Sequence, residues 1–120
     1  MARARRAVRD EKRHARITTA LAQRFGAEPA PVCTKPATLR NLEQLALDNA
    51  VEGCVRESFG AILATWQARA AADDVVRKAL VGIAADETRH GELAWAIAAW
   101  AEPRLCTSAR GRIEEARRAA

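Results

Sequence analysis

Between residues 26 and 37 the chain carries Gly26, Pro29, Pro31 and Pro36, a combination that no helix interior tolerates. On either side the sequence reads as helix. Strand signals are nearly absent, with no Tyr, two Phe and no Asn-Gly or Asp-Gly turn between alternating stretches. A first helical pattern runs over about residues 2–25 and stops at Gly26, a good helix-ending residue. A second, over about 38–70, opens on Thr38 as its N-cap. The third, over about 73–101, is capped by Asp73 and closes before Pro103. Residues 104–120 form a basic tail that can add a short last helix from about Ser108.

Connection lengths then set the topology. The twelve residues 26–37 can reach ~40 Å when extended, which matches the ~36 Å of a 24-residue helix, so this segment can cross the whole length of a bundle. Only two or three residues join the second and third helices, which therefore pair as an antiparallel hairpin. The predicted fold is a single all-α domain, an antiparallel bundle of three main helices with a short C-terminal one. Its core is modest, because 29 of the 120 residues are Ala.

Charge and cysteine usage exclude several classes. The net charge of +5 resides at the two ends, with seven basic residues against two acids over 1–16 and five against two over 104–120. Arg-rich ends of this kind are a weak signal, and a nucleic-acid partner is not expected. No apolar stretch approaches the ~20 residues of a membrane span, so no membrane partner is expected either. Cys33, Cys54 and Cys106 are widely spaced with no C-x-x-C pair, and no export signal precedes them. The expectation is reduced thiols in a cytoplasmic protein.

The most informative pattern is a repeat. Asp10-Glu11-Lys12-Arg13-His14 and Asp86-Glu87-Thr88-Arg89-His90 share one five-residue pattern, Asp-Glu-x-Arg-His, on two different predicted helices, and they contain both histidines of the chain. Residues three and four apart share a helix face. Glu11 and His14 thus fall in the row Ala7, Glu11, His14, Thr18, Leu21, Phe25, and Glu87 and His90 in the row Val76, Leu80, Ile83, Glu87, His90, Ala94, Ile97. Burying unpartnered carboxylates and imidazoles is costly, and a divalent metal satisfies several at once. Glutamate suits hard ions, and a neutral imidazole suits iron, manganese or zinc. On the second helix, Glu52 lies in the row Leu42, Leu45, Asn49, Glu52, Phe59, Leu63, Trp66 and, by hairpin arithmetic, is level with His90. Glu57 follows a row of small residues, Ala46, Ala50, Gly53, Gly60 and Ala64, and is level with Glu87. Row position places Glu52 first and Glu57 second.

These residues resemble those of ferritin-like di-iron carboxylate proteins, in which two helices each give a Glu and two others each give Glu-x-x-His. Asp-Glu-x-Arg-His is similar to the ligand motif of di-iron desaturases and rubrerythrin-like proteins. Glu52-Gly53-Cys54-Val55-Arg56-Glu57 and the stretch 83–100 are similar to bacterial ferritin-like domain proteins. The resemblance covers about residues 5–103. It implies a ferritin-like bundle with Glu11, His14, Glu52, Glu87 and His90 as metal ligands, two iron ions as the cofactor with manganese as the alternative, and the redox or oxygen chemistry of a di-iron oxidoreductase. It also implies that Asp10 supports His90 and Asp86 supports His14. Relatives begin with a helix that donates a first Glu, which here is expected to be missing, so self-association as a homodimer is expected to cover the exposed edge. The competing reading is a metal-free helical module kept for dimerisation.

Overall fold

The computed structural model describes residues 1–32 and 38–120. Cys33 and Pro36, two residues of the predicted crossing, lie outside them. Among the described residues every regular element is helical: α1 (Ala2–Arg24), α2 (Leu42–Asp48), a π-helical segment (Asn49–Glu57), α3 (Ser58–Ala70), α4 (Asp74–Ala101) and α5 (Thr107–Ala119), with one 3₁₀ turn at Glu102–Arg104. The predicted all-α class and the short last helix are both present.

Helix ends follow local chemistry. α1 ends at Phe25, and Gly26 adopts φ +79°, a left-handed conformation that glycine takes without steric cost. The turn is closed by Gly26 N–H donating to Gln23 O (3.0 Å) and Ala27 N–H to Ala22 O (2.9 Å), the paired bonds of a Schellman ending. Asp73 caps α4 as predicted, accepting from the backbone N–H of Val75 (2.8 Å) and Val76 (3.0 Å). Thr38 does not cap the second helix. Asn41 does, in a reciprocal capping box with Gln44, so the helix starts at Leu42, four residues later than predicted.

α4 is the central element, and α1 and α3 both run antiparallel to it. Arg24 near the end of α1 donates to Asp73 at the start of α4 (2.9 Å), and Glu43 in α2 pairs with Arg112 of α5 (2.6 Å). The end of α1 and the start of α2 thus lie at opposite ends of the bundle; the predicted crossing between them includes residues 33–37, which lie outside the described residues. α5 packs against the π segment and α2, and Ile113 joins Ala46, Ala50 and Ala101 in one buried cluster.

The small-residue row of the second helix is the one that faces inward. Ala46, Ala50, Cys54, Ala64 and Ala68 are buried, whereas Phe59, Ile62 and Trp66 are more than 60% exposed. Close approach explains the choice. A Cβ on Gly53 would lie 2.7 Å from the Cβ of Ala94, and one on Gly91 would lie 3.3 Å from Ser58 Oγ. Only small side chains permit that spacing. Asn49 clamps the same contact by donating from Nδ2 to Ala94 O (2.9 Å). The i→i+5 bonding of the π segment also accommodates more residues per turn than an α-helix, so a row drawn with α-helical spacing does not carry through it.

Candidate metal centre

Antiparallel pairing of α1 with α4 brings the two Asp-Glu-x-Arg-His motifs face to face with approximate two-fold symmetry. His14 and His90 lie with ring centroids 5.9 Å apart. Each histidine is buried, and so are Asp10 and Asp86. His14 Nε2 is 3.0 Å from Asp86 Oδ2, and His90 Nε2 is 3.5 Å from Asp10 Oδ2. The opposite ring nitrogens face glutamates. His14 Nδ1 lies 3.1 Å from Glu87 Oε1 and 3.8 Å from Glu11 Oε1. His90 Nδ1 lies 3.0 Å from Glu11 Oε1, and 3.7 Å from both Glu87 Oε2 and Glu57 Oε2.

The sequence-derived candidates divide accordingly. Glu11, His14, Glu87 and His90 come together. Glu52 does not join them: its side chain is 62% exposed and its Oε1 is 2.6 Å from Arg56 Nη1. Glu57 takes the place beside His90, because it continues the small-residue face that packs on α4 while Glu52 belongs to the outward-facing row of large residues. Ligand atoms of Glu11, Glu57, Glu87 and His90 all lie within 4.8 Å of one another. A cleft of about 230 Å³ between α1, the π segment and α4 opens onto three of them, with Val8, Gly53 and Ile97 on its walls.

Two further residues belong to the arrangement. Arg13 and Arg89 both pair with the buried Asp86, Arg13 also reaches Asp10 Oδ1 (3.1 Å), and Arg89 approaches Asp10 Oδ2 (3.8 Å). Repetition of Arg in both motifs is the signal that could have identified them. Burial pushes the Asp10 carboxyl upward, but the nearby His90 ring and the charges of Arg13, Arg6 and Arg89 outweigh that and hold it below its ordinary value. Asp10 is therefore an anion.

Glu87 sits in the opposite regime. Burial first, then its hydrogen bond to Glu57 and repulsion from Glu57 and Glu11, push its carboxyl up to about 8. Three glutamates converge here with no Lys or Arg directly paired to any of them among the described residues. This donor set fits a metal. If His14 donates from Nε2–H to Asp86, its Nδ1 is left as a lone pair; Nδ1 of both rings faces carboxylate oxygens that a cation would bring into register. On the other side, Asp10 Oδ2 and His90 Nε2 are buried and lack a close hydrogen-bond partner.

The chain matches no known protein family, no curated protein and no solved structure, so its reading rests on this geometry. No helix of the described residues is long and apolar enough to cross a membrane.

Proposed function

We propose that this chain is a ferritin-like domain holding two metal ions between α1 and α4, with iron as the first candidate and manganese as the second. The observation that carries the proposal is the crossed arrangement of the two motifs: each histidine turns Nδ1 toward both Glu11 and Glu87 and Nε2 toward the aspartate of the opposite motif. Glu11, Glu87, His90 and Glu57 would hold metal on one side of the pair of rings, and His14 would add a nitrogen donor on the other. Bound iron would supply one-electron redox chemistry toward oxygen or peroxide.

The chain's own residues have separable tasks. Asp86, held by Arg13 and Arg89, fixes the ring orientation and tautomer of His14. Asp10 does the same for His90 across a longer contact. Glu87 must release its proton for a cation to bind, so affinity rises with pH toward the value at which it ionises in the empty site. Self-association belongs to the proposal, since large apolar side chains of α3 lie exposed.

The test is metal content. Protein purified from iron-rich medium carries more than one metal ion per chain by elemental analysis, and His90→Ala loses it. Less than one ion per chain in the wild type, with the same amount in His90→Ala, would refute the proposal and favour a metal-free helical module.

A further inference from the structure

On the side of α4 away from the cleft, α3 and α4 form an open groove of about 780 Å³. Its apolar surface is supplied by Ile62 and Trp66 of α3 and Trp95 of α4, which are 68%, 64% and 48% exposed. The groove is polar at its ends, with Glu92 at one and Arg69 at the other, and neither has an ion-pair partner among the described residues. Gly91 touches Ser58, so Glu92 lies at the Ser58 end of α3, and Arg69 lies eleven residues further along, about 16 Å away.

We propose that this groove is the interface with a second copy of the chain, related by a two-fold axis through its centre. A two-fold axis perpendicular to α3 brings the same patch of both copies together head to tail. Arg69 of each copy then meets Glu92 of the other, while Ile62, Trp66 and Trp95 pack across the axis. Charge placed at the two ends with opposite sign is the arrangement that such an axis satisfies twice, once at each end.

Two Trp and one Ile, exposed together on one patch, are the large apolar side chains that anchor protein interfaces. Glu87 lies on the floor of the groove, so the second copy closes one route for water to the candidate metal centre. The interface itself stands on the groove and not on the metal proposal.

The experiment is sedimentation equilibrium in chelator-containing buffer, so that metal bridging plays no part. Wild-type protein at tens of micromolar has twice the chain mass of 13.1 kDa. Trp66→Asp weakens association by about 30-fold or more, as loss of a central aromatic anchor does. Arg69→Glu and Glu92→Arg each weaken it by about tenfold, and the double exchange returns it to within about threefold of wild type. Arg69 and Glu92 are exposed, so this series reads association even if Trp66→Asp loses its helical circular dichroism. A monomer at every concentration overturns the proposal and leaves the groove to an apolar ligand, an additional helix or another protein. A dimer indifferent to all four variants overturns it in favour of a different face.

Discussion

Neutralising Glu87 should change how the stability of the metal-free protein depends on pH. Its carboxyl is pushed up to about 8 in the folded chain by burial and by Glu57 and Glu11, against 4.5 for an unperturbed glutamate. A group with a raised folded pKa favours the native state fully below the unfolded value, and that contribution is lost as pH rises through the folded one. Wild-type apoprotein therefore becomes less stable between about pH 5 and about pH 8, with a slope of order 1 kcal/mol per pH unit and a total of a few kcal/mol. Glu87→Gln cannot ionise, so most of the slope disappears. At about pH 8 the variant should be the more stable protein, and at about pH 5 the two should be nearly equal. Urea unfolding in chelator at three pH values measures this. Equal slopes for wild type and Glu87→Gln would show that the three glutamates do not crowd one another, and the account of the site would lose its electrostatic basis.

Other perturbations separate the roles of neighbouring residues. Glu57→Gln should weaken Fe(II) or Mn(II) binding at least tenfold, and Glu52→Gln should leave it within about twofold, because Glu52 pairs with Arg56 outside the cluster; titration of the two variants side by side decides between them. Asp86→Asn frees the ring of His14 and should cost about 10–100-fold in metal affinity, read by competition with a chromogenic chelator. Gly53→Val places its side chain against Ala94 and should destabilise by roughly 1–3 kcal/mol, measured by chemical denaturation. Asp73 is held down to about 2 by Arg24 and by the N–H groups of Val76 and Val75. Its contribution is present above its unfolded value and lost as pH falls through about 2, so Asp73→Asn should flatten the acid limb of the melting-temperature profile.

Much of the site was legible because its signal is chemical. Two copies of Asp-Glu-x-Arg-His on separate helices imply that those helices face one another, and the α4 row from Val76 to Ile97 is buried or half-buried along its length. Gly26 and Asp73 were legible because a left-handed ending and an N-cap each require particular residue types. The choice between Glu52 and Glu57 was not legible from hydrophobicity. Large apolar residues usually mark the inner face, and here the alanine and glycine row is inner because α4 passes so close at Gly53 and Gly91. The π segment compounded the difficulty, since nothing in Asn49–Glu57 announces a change of helical repeat. In α1 the buried positions are Asp10 and His14, and Glu11 remains 55% exposed; the inward row runs through the aspartate, with the glutamate flanking it. The row drawn through Glu11 and His14 therefore lies beside the buried positions of α1 and not along them.

The central claim is that Glu11 and Glu87 join His14 and His90 into one metal centre. Crystals grown with Fe(II) under anaerobic conditions and measured at the iron absorption edge test it directly. The account predicts anomalous density beside both His14 Nδ1 and His90 Nδ1, with Glu11 and Glu87 in contact with it and Glu57 on the His90 side. Iron seated elsewhere on the surface, with these five carboxylate and imidazole side chains collapsed onto one another and no density between them, would contradict it.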